Sequence, residues 1–447
     1  MFGFKLLGKT HIPHRKNTAE KKAVRMTAPS EVLLPMQQHI GAPAKPVVKV
    51  GDEVKVGQLV AEAGGFVSSP IYSSVSGKVA KIEAYLTPGG RTVDAIRISS
   101  DGNMTPCDLT PPTVTDFDSL VNAVRSSGIV GLGGAGFPTA VKMEAIKKGG
   151  IDTVLINGAE CEPYITSDTL TMLYDTELIK YGVELIRKCS APFGQLDFVF
   201  GIENNKPSAI KAVSELFAEE NDVSVCVLPS LYPQGAEKVL IHNTLGRVVP
   251  EGKLPADVGV VVINVSTLAA IARYVKTGMP LVEKLITVDG SAVNDPCVVI
   301  APIGATVGSV IEFAGGLKED AGKVLYGGPM MGVAVRSLDE PTLKTTNALT
   351  VLTRKDAASS EATACIHCGR CVSACPMKLN PTAYSAALDC ANQEERVALL
   401  KKEKINLCIE CGCCSYVCPA KRPLVQNNRL GKAEVREYDA HQATLKD

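Results

Sequence analysis

The chain has no tryptophan, and its other aromatics are 11 tyrosines and 10 phenylalanines among 447 residues. That is little material for the aromatic platforms on which single-stranded nucleic acids stack. It also has no net charge, with 47 Lys+Arg against 47 Asp+Glu. A nucleic-acid binder lives on an excess of cations to neutralise phosphates, so nucleic acid is not an expected partner. Nowhere does an uninterrupted apolar run approach the roughly 20 residues of a membrane span. The longest candidate, Val258 to Ala272, is broken by Asn264, Ser266 and Thr267 and reads as a strand running into a helix. The opening MFGFKLLGKTHIPHRK has too short an apolar stretch for a signal peptide and no small-residue cleavage site. A soluble protein that stays where it is made is expected.

What is abundant is cysteine, 15 in all. Cys107, Cys161, Cys189, Cys226 and Cys297 are scattered singly, and the rest fall between Cys365 and Cys418. A secreted disulfide scaffold would be short and cysteine-rich throughout. This distribution points instead to reduced thiols in a cytoplasm and one metal-binding module. The 45% apolar content is that of a globular chain, and the length calls for three or four domains.

Residues 30–110 read as all-β. VVKVGDEVKVGQLVAE (Val47–Glu62) and SPIYSSVSGKVAKIE (Ser69–Glu83) are short β-branched runs between Gly-Asp and Ser-Gly turns. The pair resembles the two halves of a barrel-sandwich hybrid, as in biotinyl and lipoyl carriers. The linking AGGFVS lacks the lysine those carriers modify, so a structural or docking role is expected. Over 115–265, strands and helices alternate, the pattern of an α/β layer with a largely parallel sheet. Within it Thr169–Lys188 reads as one long helix, and Ser266 or Thr267 as the cap of the helix that follows. A small α+β unit is expected over 266–335, a polar linker over 336–361, the cysteine module over 362–425 and a loosely ordered charged tail over 426–447.

The module carries Cys365-Ile-His-Cys368-Gly-Arg-Cys371-Val-Ser-Ala-Cys375-Pro and Cys408-Ile-Glu-Cys411-Gly-Cys-Cys414-Ser-Tyr-Val-Cys418-Pro. Both obey C-x2-C-x2-C-x3-C-P, the spacing of two-cluster 4Fe–4S ferredoxins. Three thiolates on one tight loop grip three irons of a cubane, while the fourth is out of reach and serves the partner cluster. Cys365, Cys368, Cys371 and Cys418 are thus assigned to one cluster, and Cys408, Cys411, Cys414 and Cys375 to the other. Zinc knuckles need neither the third cysteine nor the proline. Cys390 and Cys413 are read as spare thiols.

Gly131-Leu-Gly133-Gly134-Ala-Gly136 precedes a helix, with Phe137 after it and Lys142 one turn in. Bare backbone N–H groups ahead of a helix N-terminus suit a phosphate, although such a loop can equally be a tight structural turn. The longer string GLGGAGFPTAVK (Gly131–Lys142) resembles the flavin-binding loop of the FMN- and NADH-binding subunit of respiratory complex I. Further segments match in order: Asn157-Gly-Ala-Glu160-Cys-Glu162-Pro163, Tyr232-Pro-Gln-Gly235-Ala-Glu237, and Asn264-Val-Ser-Thr267-Leu268. The resemblance implies that the loop glycines, Lys142, Asn157, Asn264 and Thr267 hold FMN. It places Glu160 and Glu162 toward NADH, against the alternative that they only cap the turn and helix after them. One departure is Gly-Ala-Glu where that family has Gly-Glu-Glu.

The whole order of segments, from Gly3–Ala19 with its THIPHRKNTA onward, resembles the C subunit of Rnf complexes. This implies a fold of barrel-sandwich hybrid, Rossmann-like flavin/NADH domain, β-grasp unit and two-cluster module. It also implies a peripheral subunit on the cytoplasmic face of the membrane. There it would exchange hydride between NADH and FMN and relay electrons through two 4Fe–4S clusters. Its partners would be the membrane subunits, the other iron–sulfur subunit and, through the complex, ferredoxin, with sodium ions or protons translocated. No residue is expected to act as a catalytic acid or base. A cobalamin reductase of similar modules and a non-catalytic relay scaffold are the alternatives.

Overall fold

A computed structural model describes residues 5–358 and 360–444. The ends of the N-terminal segment and tail, and residue 359 of the expected linker, lie outside the described residues. The all-β part holds β1 (Val24–Arg25), β2 (Glu31–Pro35), β3 (Lys45–Pro46), β4 (Glu53–Val54), β5 (Leu59–Glu62), β6 (Ile71–Tyr72), β7 (Gly77–Leu86) and β8 (Thr92–Ser100). Two antiparallel sheets form, β2-β8-β7-β4 and β3-β5-β6, as the Gly- and Ser-rich turns require. Their inward side chains, Val32, Leu34, Val60, Ile71, Val79, Ile96 and Ile98, are buried.

The next layer contains α1 (Phe117–Ser126), α2 (Thr139–Lys147), β9 (Thr153–Gly158), α3 (Ser167–Tyr174), α4 (Thr176–Ser190), β10 (Asp197–Glu203), α5 (Pro207–Leu216), β11 (Val223–Leu228), α6 (Glu237–Leu245), β12 (Val260–Asn264) and α7 (Val265–Thr277). All strands are parallel, in the order β11-β10-β9-β12. The Val, Leu and Ile runs of β9 and β12 are buried on both faces, as helices on either side demand, while the edge strand β11 leaves Val227 exposed. The chain leaves β9 toward β10 on one side and returns to β12 on the other. The carboxyl ends of β9 and β12 therefore flank a topological switch point, where open α/β sheets bind ligands.

Two local expectations are corrected. The long helix breaks at Asp175, whose backbone leaves the helical region (φ −108°, ψ 29°) and whose carboxylate meets Arg273 at 3.1 Å. The cap of α7 is Asn264, whose side chain accepts from the Thr267 N–H, rather than Ser266 or Thr267. Helix α7 also packs on α4 and so belongs to the parallel layer, not to the α+β unit after it.

That unit consists of β13 (Glu283–Asp289), β14 (Cys297–Pro302), α8 (Val307–Phe313), β15 (Ala321–Tyr326), β16 (Val333–Ala334) and β17 (Ala348–Thr353). Its sheet order is β1-β14-β13-β17-β15-β16. The expected linker therefore contains a central strand, followed by the short helix α9 (Arg354–Ala357). Polar neighbours masked it in sequence, yet Thr342, Lys344, Thr346 and Thr350 are all buried with hydrogen-bond partners.

The cysteine module is helical: α10 (Arg370–Ala374), α11 (Pro381–Leu388), α12 (Gln393–Lys402), α13 (Cys413–Tyr416) and α14 (Leu424–Thr444). The tail, expected to be loosely ordered, forms α14 over its described residues. Helix α14 buries a narrow stripe of Leu424, Val425, Asn428, Gly431 and Val435. Its charges pair outward, Lys432 with Glu410 at 2.6 Å and Lys401 with Asp439 at 2.5 Å.

Candidate functional site

The glycine loop closes on itself, Gly131 N–H donating to the Phe137 carbonyl at 2.8 Å. Three neighbours hold it. The Leu132 N–H donates to Thr267 Oγ1 (2.9 Å), Lys284 Nζ donates to the Leu132 carbonyl (2.9 Å), and the Ile40 N–H donates to the Gly136 carbonyl (3.0 Å). A side chain at Gly133 would meet Asn264 Nδ2 at 3.2 Å. At Gly134, in a positive-φ backbone (+119°), a Cβ would point into open space. The loop therefore presents bare backbone to a void at the switch point. Asn157 and Asn264, register partners at the carboxyl ends of β9 and β12, face it from the sheet. Asn157 donates to the Gly235 carbonyl at 2.9 Å. Lys142 and Glu237, on α2 and α6, form a half-exposed ion pair of 2.6 Å. The structure thus assembles Gly131, Gly133, Gly134, Gly136, Phe137, Lys142, Asn157, Gly235, Glu237, Asn264 and Thr267. A loop of bare backbone beside a helix N-terminus, with open space over Gly134, fits the phosphate of FMN.

Glu160, Glu162 and Tyr232 are placed otherwise than expected. Glu160 accepts from the Asp168 N–H (2.7 Å) and the Thr169 hydroxyl (2.6 Å), in the first turn of α3. Glu162 accepts from the N–H groups of Met330 (3.1 Å) and Met331 (2.8 Å), with the Tyr232 hydroxyl at 3.2 Å. Burial raises its carboxyl above the ordinary range. Tyr232 is fully buried, with its hydroxyl 2.8 Å from the Cys411 carbonyl. These groups close a seam between the parallel layer, the glycine-rich turn Tyr326–Gly332 after β15 and the cysteine module.

Other residues of the site gave no sequence signal. Asp168, buried, accepts from Asn264 Nδ2 (2.8 Å) and Ser266 Oγ (2.6 Å). Burial, then the Glu160 charge, pushes its carboxyl up to about 6. Burial pushes the Lys284 ammonium down to about 7. Lys16 donates to the carbonyls of Glu160 (2.7 Å), Glu162 (2.9 Å) and Ile165 (2.6 Å), and burial holds it at about 8. The THIPHRKNTA segment is thus a strap over the Glu160 loop.

In the cysteine module, Cys375, Cys408, Cys411 and Cys414 line one small cavity, with Cys413 as a fifth cysteine at its wall. Burial raises the Cys375 thiol, and Cys411 and Cys408 beside it raise it further. Cys371 packs with Cys418, and its thiol is raised by burial and then by Cys418 and Cys365. Donors aim at sulfur: Leu379 N–H to Cys375 (3.3 Å), Glu410 N–H and Asn428 Nδ2 to Cys408 (3.4 Å each). Among the described residues, no three His, Cys, Asp or Glu side chains converge on a single-ion site. The four motif thiols around this space, with N–H groups directed at sulfur, fit a cubane. Cys368 is exposed at the rim of the first motif. Cys413 is fully buried under the Tyr232 carbonyl, and Cys390 lies in the α11–α12 turn with its thiol toward the Asn392 carbonyl.

The two sites touch. Gly235 N–H donates to Cys161 Sγ at 3.3 Å, and Cys161 packs with Tyr232, Ile12, Met330, Cys411 and Cys413. Parallel flavin layer, cradle and ferredoxin-like thiol sets define a class of protein: a modular electron-transfer subunit. Family models agree along the chain. They are the RnfC barrel sandwich hybrid domain over 4–103, the Nuo51 FMN-binding domain over 124–273, the SLBB domain over 285–334 and the 4Fe-4S dicluster domain over 361–422. The C subunit of the proton-translocating ferredoxin:NAD(+) oxidoreductase complex of Clostridium ljungdahlii is 44% identical, covering 83% of this chain and 81% of that protein. Its counterpart in the Na(+)-translocating complex of Acetobacterium woodii is 43% identical, with 96% of each chain covered. The chain belongs to this family, the C subunits of ion-translocating ferredoxin:NAD(+) oxidoreductase complexes. The NAD+-reducing [NiFe]-hydrogenase in its air-oxidized state is a looser likeness, at TM-score 0.49 and 19% identity, with 70% of this chain and 60% of that one covered.

Proposed function

We propose that this chain is the peripheral electron-input subunit of a membrane-bound ferredoxin:NAD oxidoreductase that translocates sodium ions or protons. It binds FMN, NADH and two 4Fe–4S clusters. It sits at the cytoplasmic face, held by the membrane subunits and the complex's other iron–sulfur subunit rather than by lipid. Among the described residues no helix is long and apolar enough to cross a membrane, which agrees with attachment of that kind. The observation that carries the reading is the seam: the cradle at the switch point and the four-thiol cavity are joined through Cys161 and Tyr232.

Bound FMN would supply the chemistry that links two-electron hydride exchange to the single-electron exchange of iron–sulfur clusters. The chain's part is to bind and orient. Gly133 and Gly134 admit the flavin to bare backbone, Thr267 and the α7 N-terminus favour its phosphate, and Lys142 adds a cation. Glu237 is the acidic side chain left at the mouth for NADH, while Glu160 and Glu162 position the loops behind it. Cys375 completes the set of Cys408, Cys411 and Cys414, and Cys418 that of Cys365, Cys368 and Cys371. Through Cys411, which packs with Tyr232 and Cys161 beside Gly235, the first of these sets would hold the cluster nearer the flavin.

Anaerobically purified protein should contain flavin and about eight irons per chain, as two 4Fe–4S clusters imply. NADH should bleach its flavin absorbance. Iron without flavin, or flavin unmoved by NADH, would support a relay scaffold, and NADH-driven reduction of cob(III)alamin would support a cobalamin reductase.

A further inference from the structure

The two thiol sets differ in their access to solvent. Cys411 is buried in the seam, and Cys371 and Cys414 are buried together beside α14, whereas Cys368 of the first set is exposed, as are Ile366, His367, Gly369 and Arg370 around it. Three large apolar side chains lie open on this face: Ile366 (66% exposed), Tyr416 (48%) and Val372 (40%). The elements that carry them adjoin: α10 with Val372 packs on α13 with Tyr416, and the Thr363 N–H donates to the Ala420 carbonyl at 3.0 Å. The charge of the face is one-sided. Residues 361–376 and 416–423 contain Arg370, Lys421 and Arg422 but a single carboxylate, Glu361. Among the described residues none of the three cations is in an ion pair. Elsewhere in the module Lys432, Lys401 and Arg396 all are.

Exposed apolar groups, cations outside any described ion pair and the exposed Cys368 thus occur on the same two cysteine loops, the chemistry an electron carrier of opposite charge would recognise. We propose that this face receives an acidic iron–sulfur protein, and that the Cys365, Cys368, Cys371 and Cys418 set is the port through which single electrons pass. The proposal rests on the reading above only in that this set carries a cluster. The step is one electron between two centres: one side is oxidised by one, the other reduced by one, and no bond forms or breaks. Complementary charge would steer the encounter and the apolar patch would fix it. An anionic membrane is the lesser fit, because recognition of acidic lipid takes clusters of about four to eight cations.

The test uses the full chain with its clusters in place, reduced chemically so that no NADH step is required. The probe is a purified acidic two-[4Fe–4S] bacterial ferredoxin in its oxidised form, mixed in stopped flow from low to high salt. The second-order rate should fall with salt. In Arg370→Glu/Lys421→Glu it should drop at least about tenfold at low salt and lose most of its salt dependence. Both cluster signals should stay intact in electron paramagnetic resonance. Ile366→Asp should slow the reaction without altering its salt slope. If the double variant loses a cluster, Lys421→Glu alone carries the same comparison. No reaction with the ferredoxin overturns the proposal. So does an unchanged rate and salt slope in a variant with intact clusters. Binding to vesicles rich in phosphatidylglycerol that the double variant abolishes would also overturn it, assigning the face to lipid. NADH-driven flavin bleaching on the same preparation reports separately on the reading of the flavin site.

Discussion

A carboxylate that accepts from the second N–H of a helix and from the hydroxyl one residue on is a cap supplied from outside the helix. Glu160 does this for α3, whose own cap residue Thr166 makes no capping bond because its hydroxyl meets Thr18 at 2.5 Å. Losing such a charge-assisted cap costs about 1–2 kcal/mol. Glu160→Gln should therefore lower the melting temperature while the NADH concentration for half-maximal flavin bleaching stays within about twofold. Both are measured on one anaerobic preparation. A tenfold weaker NADH response at an unchanged melting temperature would return the glutamate to the nucleotide. The residue scale is where sequence reading was most uneven. The cysteines were legible because their spacing is itself a geometry. Asp168 and Lys284 were not: their partners, Asn264 and Leu132, stand far away in sequence and meet them only once α3, α7 and β13 have packed. Glu160 and Glu162 were visible but misdirected, since a motif gives a side chain's neighbourhood and not the direction in which it points.

The glycine loop acts as a unit, pinned at Leu132 and Gly136 and bare at Gly134. Gly134→Val adds a branched side chain in a positive-φ backbone and fills the void over the loop. Flavin content should fall below about a tenth of wild type with iron unchanged, read by absorbance and iron assay. Full flavin occupancy would reduce the loop to a structural turn. The two cysteine loops make a second unit. Cys375 shares its cavity with Cys408, Cys411 and Cys414 although it belongs to the other motif. Cys375→Ser should thus perturb the cluster of the second motif first. Resonance spectra would show this against Cys365→Ser, and loss confined to the first motif's cluster would refute the crossing. Elements with a strong apolar period were legible from sequence, as the parallel strands show. Elements whose buried residues are polar were not. β17 is preceded by buried Thr and Lys, and α14 buries a stripe containing Asn428 and Gly431. Hydropathy is blind to a polar group that finds its partner only in the folded chain.

Across the whole molecule, buried lysines stitch the domains together. Lys284 ties the α+β unit to the glycine loop, and Lys16 ties the N-terminal strap to the Glu160 loop. Lys344 reaches from the segment before β17 to Ser69 Oγ (3.1 Å), Pro70 O (2.6 Å) and Gly128 O (2.8 Å), joining three domains. It is 1% exposed, and burial alone pushes it from 10.5 down to about 7. The sign of its pH effect follows. Below pH 7 the ammonium is charged in both folded and unfolded chains, so the cost of burying it is constant. Between about 7 and 10.5 the folded chain has released a proton that the unfolded chain still holds, so stability rises with pH. The rise can reach about 1.4 kcal/mol per pH unit for one proton. The neutral amine still donates to two carbonyls and accepts from the Ser69 hydroxyl, so the stitch survives. Lys344→Met removes this titration from the difference between the two proteins; Lys16 and Lys284 titrate in both, and His39, which burial and then the Lys344 charge lower below its ordinary value, is neutral in both above pH 7. The wild-type minus variant unfolding free energy, from denaturant titrations at pH 7, 8 and 9 with clusters retained, should therefore grow with pH. A difference that stays level or shrinks would mean that Lys344 remains charged inside the fold, its ammonium held by the three oxygens around it.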